Sequence, residues 1–377
     1  MQQSTAECLP AGAPADFLPL NGTSYLEFWV GNAKQAAFYY RAAFGMELIA
    51  YRGPETGCRD RVSWVVRQGK ICFVLTSALS GAHEISEHVR RHGDGIRDVA
   101  LSVDDAQSAW LAATSRGARS VDAPHTVQND CGEMRLASIA AYGDVIHSFV
   151  ERRDYTGAFM PGYRDCLLPD PLARYAGLFR VDHTVGNVGW GDMNRWVDFY
   201  RDVMGFRLYQ HFDDKEISTE YSSLMSKVMA NGDGRVKFLV NEPARGRRKS
   251  QIEEYLDYYG GPGVQHLAME THDILHTVGL LRDRGVEFIG TPATYYENLR
   301  ARVGPIDESF EDLERFGILA DRDEEGYLLQ IFTKPVTDRP TLFFEIIQRK
   351  GSRGFGKGNI KALFEAIERE QAARGNL

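Results

Sequence analysis

No stretch of this 377-residue chain holds the run of about 18 apolar residues that a membrane-spanning helix requires. The opening residues, Met-Gln-Gln-Ser-Thr-Ala-Glu-Cys, lack the basic start and apolar core of a secretory leader, so a cytoplasmic location is expected. There is no block of lysine and arginine, and the formal net charge is −8. That argues against nucleic acid or an anionic membrane as partner. Cysteine is scarce. The five present (Cys8, Cys58, Cys72, Cys131, Cys166) are odd in number and never form a CxxC pair. A disulfide framework and a thiolate metal site are both disfavoured, and reduced thiols are expected. The length suggests about two to three domains.

What the chain does have is a copy of itself. Val30-Gly-Asn leads into a segment with a Phe-Tyr face that ends at Gly45, and Val185-Gly-Asn leads into a similar one ending at Gly205. Further on, His92-Gly-Asp-Gly-Ile-Arg-Asp-Val-Ala-Leu matches Gly260-Gly-Pro-Gly-Val-Gln-His-Leu-Ala-Met. Each half reads strand, helix, then several strands, and that block recurs. The expected class is α+β: four βαβββ modules in two domains, each domain an open half-barrel sheet with outer helices. The expected boundaries are a tail at 1–22, a first domain at 23–155, a Gly/Pro-rich link at 156–177 and a second domain at 178–377.

Three residues stand out inside apolar strands: His183, His266 and Glu345. Strand side chains two residues apart share a face, so Val264, His266 and Ala268 point one way. A lone buried carboxylate is costly unless paired or bound to a metal. Two imidazoles and one carboxylate form the ligand set of a non-heme Fe(II) site with open positions. Zinc with two histidines and a glutamate is the rival, but such sites usually place HExxH on one helix. A metal-free binding module is the third reading. Aligning the halves sets Phe28 opposite His183, Asp98 opposite His266 and Ser148 near Glu345. The ligand set therefore belongs to the second half alone, and one metal is expected there. In the first half, His88 and His92 lie four apart on a helix, a spacing that could hold a metal, but the flanking Glu87, Arg90 and Arg91 favour a solvated face.

Polar residues that suit hydrogen bonding to a substrate accompany the triad: Ser226 and Asn241 on a predicted hairpin, Gln251 in a helix that starts at Ser250, Gln265, and Gln330 on a strand face shared with Phe332. Phe343 shares a face with Glu345. After Gly354-Phe355-Gly, a helix presents Ile360, Leu363, Phe364 and Ile367 on one side. It reads as a docked C-terminal helix, or as a lid.

The βαβββ plan resembles the vicinal oxygen chelate superfamily. The stretches Lys249-Ser-Gln-Ile, Gly263-Val-Gln-His, Asp323-Glu-Glu-Gly-Tyr-Leu-Leu-Gln-Ile-Phe-Thr-Lys-Pro, Pro340-Thr-Leu-Phe-Phe-Glu and Gly354-Phe-Gly-Lys-Gly-Asn resemble the 4-hydroxyphenylpyruvate dioxygenase family. The resemblance covers nearly the whole chain and is densest from Asp182 onward. It implies Fe(II), one per chain, on His183, His266 and Glu345, with O₂ as co-substrate and an aromatic 2-oxo acid as substrate. It implies substrate-cavity roles for Ser226, Asn241, Gln251, Gln265, Gln330, Phe332, Phe343 and Asn359. Phe355, Leu363, Ile360 and Leu239 are expected around the same substrate. The implied reaction decarboxylates the oxo acid oxidatively, hydroxylates the ring and moves the side chain to give homogentisate. A homo-oligomer, dimer or tetramer, is expected. Two positions depart from the pattern: Ile360 stands where the dioxygenases carry phenylalanine, and Leu239 where they carry proline. Isoleucine at the first is what the sister 4-hydroxymandelate synthases carry, whereas Asn241 is an amide those synthases tend to lose.

Overall fold

The computed structural model describes residues 16–212 and 223–376. The expected tail up to residue 15, and residues 213–222 before the predicted hairpin that carries Ser226, lie outside the described residues. Among the described residues, seventeen strands form two strongly curled sheets. The first half contributes β1 (Thr23–Trp29), β2 (Glu47–Arg52), β3 (Arg61–Gln68), β4 (Ile71–Ala78), β5 (Gly95–Ser102), β6 (Ser120–Asn129), β7 (Gly132–Ala140), β8 (Ile146–Glu151) and β9 (Arg164–Asp165). The second contributes β10 (Leu178–Asn187), β11 (Arg207–Phe212), β12 (Ser223–Ala230), β13 (Lys237–Ala244), β14 (Gly263–Thr271), β15 (Leu319–Arg322), β16 (Tyr327–Phe332) and β17 (Phe343–Lys350).

The sheet orders are β9-β2-β3-β4-β1-β5-β8-β7-β6 and β11-β12-β13-β10-β14-β17-β16-β15. Past β9 they match strand for strand. The pairing senses match too: β1 with β4 and β10 with β13 are parallel, β1 with β5 and β10 with β14 antiparallel, β5 with β8 and β14 with β17 parallel. The four βαβββ modules are therefore present as expected.

Local chemistry sets the element ends. Asn32, Ser250 and Asp273 cap their helices through side-chain oxygens, and Ser250 with Glu253 completes a reciprocal capping box. Gly45 closes the first helix at φ 70°, a left-handed turn that glycine adopts without strain. The segment expected as a link does more than connect. Its β9 pairs with β2, and its Phe159 packs into an apolar cluster on the first sheet with Tyr25, Val74 and Tyr155. The two halves share one apolar core, in which Phe73 of β4 stacks on Phe344 of β17 at 5.9 Å.

The register corrects one alignment. In the second half Ala268 lies between His183 and Glu345. In the first half Ala100 lies opposite Tyr25, and counting along the β5–β8 ladder puts it beside Ser148. Tyr25, not Phe28, therefore occupies the place of His183, while Asp98 and Ser148 do match His266 and Glu345. The repeated Val-Gly-Asn is offset by three residues. Asn32 caps a helix, whereas Asn187 is still in strand β10, and Asp192 takes the cap position. At these positions the first half has a hydrogen-bonded cluster: Tyr25 Oη and Ser148 Oγ donate to Asp98 Oδ2 at 3.2 and 2.6 Å. Burial pushes the Asp98 carboxyl up to about 7.

Candidate active site

His183, His266 and Glu345 come from the three adjacent central strands β10, β14 and β17, and all are buried. Their ligand atoms lie within 4.8 Å of one another. His183 Nε2 is 3.3 Å and His266 Nε2 3.6 Å from Glu345 Oε2. A metal about 2.0–2.2 Å from each donor needs separations of this size.

The other face of each imidazole is already engaged. His183 Nδ1 donates to Asp182 Oδ1 at 2.7 Å, and His266 Nδ1 donates to Gln265 Oε1 at 3.0 Å. Each Nε2 is thereby left as a lone-pair donor aimed inward. Both partners are sequence neighbours of their histidines, which a regular strand forbids because adjacent side chains alternate. Two β-bulges resolve this. The β10–β14 ladder skips Asp182 between Val181 and His183, and skips Gln265 between Val264 and His266.

Arg349 grips Asp182 with two bonds of 2.7 and 2.8 Å, and Lys237 lies 3.9 Å away. Burial raises the Asp182 pKa, but these cations outweigh it and hold the carboxyl ionised. Burial also opposes charge on His183, and the Glu345 and Asp182 carboxylates reverse that, so its pKa is raised. His266 has no such second carboxylate; burial dominates and lowers its pKa. Burial would raise Glu345, and the two imidazoles outweigh it. The donor set fits a divalent transition metal: two imidazoles, one ionised carboxylate and no third cation among them.

The triad forms part of the wall of a cavity of about 590 Å³, counted with its mouth. Ser226, Leu239, Asn241, Gln251, Gln265, Gln330, Phe332, Phe343, Phe355, Ile360 and Leu363 line it. Asn359 does not. Its buried Oδ1 instead accepts from Tyr295 Oη at 2.5 Å, behind the wall. Phe343 stacks on the His266 ring at 4.7 Å and Phe355 sets its edge on His183 at 5.1 Å. The C-terminal helix Lys357–Ala373 covers the mouth, with Phe364 packed against Phe212, Val228 and Ile252.

Sequence reasoning missed Val185 and Phe212 in the lining and Asp182, Asn187 and Arg349 behind it. Val185 and Asn187 were within reach, since both follow His183 at even spacing on the same face. The reading of His88 and His92 as a solvated face also fails: they are only 4% and 2% exposed. The second half packs against that helix, a contact that flanking charges do not reveal.

Comparison with known proteins agrees with this geometry. A family model described as "Hydroxyphenylpyruvate dioxygenase, HPPD, N-terminal" matches residues 17–160. One described as "Glyoxalase/Bleomycin resistance protein/Dioxygenase superfamily" matches residues 180–331. The 4-hydroxyphenylpyruvate dioxygenase of Aspergillus fumigatus is 48% identical over 378 residues, 94% of each chain. The Danio rerio 4-hydroxyphenylpyruvate dioxygenase is 48% identical over 94% of this chain and 91% of its own. The chain belongs to the 4-hydroxyphenylpyruvate dioxygenase family. A solved triple mutant of 4-hydroxymandelate synthase from Streptomyces coelicolor is similar in structure, with a TM-score of 0.84 and 35% identity over 94% of this chain and 99% of its own. The dioxygenase fold here is thus the two-domain vicinal oxygen chelate architecture, and among the described residues no helix is long and apolar enough to cross a membrane.

Proposed function

We propose that this chain converts 4-hydroxyphenylpyruvate and O₂ to homogentisate and CO₂, using one Fe(II) held by His183, His266 and Glu345. The observation that carries this reading is identity of 46–48% over nearly the full length to 4-hydroxyphenylpyruvate dioxygenases, with the three donors converging in the cavity. Iron, when bound, supplies the means to chelate the 2-oxo acid and to activate O₂.

The chain's own residues hold the substrate around that centre. The side chains of Gln265, Gln330, Asn241, Gln251 and Ser226 offer neutral donors and acceptors, which orient a carboxylate, a keto oxygen or a phenol without removing a proton. Gln330 Oε1 is buried with no hydrogen-bond partner among the described residues, so an acceptor is free for a substrate hydroxyl. Phe332 and Phe343 give the ring apolar walls, their centroids 6.3 Å apart. Phe355, Ile360 and Leu363 of the C-terminal segment close the mouth and exclude water.

A second reading, benzylic hydroxylation of the same substrate to 4-hydroxymandelate, rests on Ile360. This branched aliphatic side chain lines the cavity where a flat ring would grip the substrate more firmly. Incubation with Fe(II), ascorbate, O₂ and 4-hydroxyphenylpyruvate, followed by mass spectrometry and NMR, decides between them. Homogentisate supports the first reading. 4-Hydroxymandelate means that Ile360 redirects the oxidation, and no consumption overturns the substrate assignment.

A further inference from the structure

We propose that His88, His92 and Asp144 form a second metal site, separate from the cavity, that takes a zinc-like divalent cation and fastens a helix and a turn of the first half together at its joint with the second half.

The helix Glu84–His92 sets His88 and His92 one turn apart on the same face. Asp144, in the turn between β7 and β8, reaches that face. Its Oδ2 lies 2.9 Å from His92 Nε2 and 3.8 Å from His88 Nδ1. All three ligand atoms fall within 4.8 Å of one another. Metal–donor bonds of about 2.0–2.2 Å require separations between those two distances.

The hydrogen bonds point the same way. His92 Nδ1 is 2.6 Å from the carbonyl oxygen of Tyr259, so that nitrogen carries the proton and donates it. Its Nε2 is then a lone pair facing a carboxylate, an arrangement that needs a cation between them. A histidine with one N–H committed to a backbone carbonyl and the other nitrogen free is how metal ligands are usually oriented. A proton shared by His92 and Asp144 would satisfy that pair alone. It would leave His88 unexplained, because His88 is buried with neither ring nitrogen hydrogen-bonded among the described residues. Leaving such a group unpartnered is unfavourable. A bound cation gives both histidines and the aspartate a common partner.

The donor set also selects the ion. Two imidazoles and one carboxylate suit zinc and its neighbours, whereas calcium and magnesium prefer oxygen donors. Arg97 is the nearby cation, and its guanidinium lies over the Trp29 ring at 4.8 Å. Asp144 is half-exposed, which leaves an entry path and room for a water ligand.

The location gives the site its consequence. Tyr259 belongs to the second half and ends the helix Gln251–Tyr259; four residues later β14 begins, which carries His266. Its ring lies 4.4 Å from that of His92. Gly143, beside Asp144, packs so closely that an added Cβ would sit 2.2 Å from the Pro262 carbonyl oxygen. A cation here would tie a helix to a turn of the first half, and so hold the His92 ring that hydrogen-bonds to the Tyr259 carbonyl just before β14.

The test is a count of zinc. Protein stripped with a chelator is titrated with Zn(II) against a chromophoric competitor. The wild type should take up two ions per chain, one at each centre. Glu345→Ala combined with His266→Ala should keep one. Adding His88→Gln should remove the last, and wild-type melting temperature should rise on zinc addition in a step that His88→Gln abolishes. Asp144→Asn, at a half-exposed position, should give the same loss and serves if the histidine variant does not fold. A wild type that binds a single ion, or a second ion that survives both His88→Gln and Asp144→Asn, overturns the proposal.

Discussion

Asp182 and His183 are consecutive residues whose side chains meet, with His183 Nδ1 donating to Asp182 Oδ1 at 2.7 Å. The bulge in β10 makes this possible, and Arg349 anchors the aspartate from behind. Arg349 also donates to the Gly354 carbonyl at 2.6 Å, at the start of the segment that leads to the C-terminal helix. One guanidinium therefore couples a candidate metal ligand to the chain that closes the cavity.

Asp182→Asn should weaken Fe(II) binding by about 10- to 100-fold, the usual effect of losing a partner that orients a ligating histidine. Competitive titration of the apo protein measures it directly. Melting temperature should fall as well, because Arg349 keeps its charge but loses its carboxylate. Unchanged metal affinity would show that the bulge alone fixes the imidazole.

Glu345→Ala tests the centre itself. Metal content after desalting should drop to background and turnover should vanish. The substitution removes a carboxylate that raises the His183 pKa, so His183 in the apo variant should titrate at lower pH than in the apo wild type, visible by NMR of the imidazole. Retention of stoichiometric iron would sink the assignment of all three ligands.

Gly356 sits at φ 72° at the start of the C-terminal helix, and an added Cβ would lie 2.5 Å from Gln330 Oε1. Gly356→Ala should therefore cost about 1–2 kcal/mol of local strain and push the Gln330 amide out of place. KM should rise several-fold while iron content stays at one per chain. If KM and kcat both match the wild type, the glycine is there for the turn alone.

Much of this was legible in sequence because regular strands alternate. His183, His266 and Glu345 stand out as polar residues in apolar runs, and the doubled strand–helix–strands block announces two matching sheets. The family resemblance supplied most of the cavity. What alternation cannot encode is its own interruption. The bulges at Asp182 and Gln265 bring neighbours to one face, and the longer β10 moves the true counterpart of His183 from Phe28 to Tyr25. Contacts between halves are equally silent. The charges beside His88 and His92 suggest solvent, yet Tyr259 and Asp144 cover them from more than 50 residues away in sequence. Phe199–Val203, within the segment that ends at Gly205, adopts a π turn that periodicity did not reveal.

His147 offers a test of the joint between the halves. This buried residue of β8 donates from Nδ1 to the Val99 carbonyl at 3.0 Å and accepts at Nε2 from Tyr200 Oη of the second half at 2.9 Å. Burial lowers its pKa to about 4, against about 6.5 in an unfolded chain. The folded state then binds fewer protons than the unfolded one between those values. The contribution to stability is full above about pH 6.5 and is lost as pH falls towards 4, by at most about 3 kcal/mol. His147→Gln should be less stable than the wild type at pH 7.5, because Tyr200 and Val99 lose a well-placed partner. Between pH 7 and 5, however, its urea midpoint should fall less than that of the wild type. Taking the difference between the two proteins removes the carboxylates that titrate in both. Parallel midpoints across that range would mean that His147 titrates normally and that the Tyr200 bond does not hold the neutral ring in place.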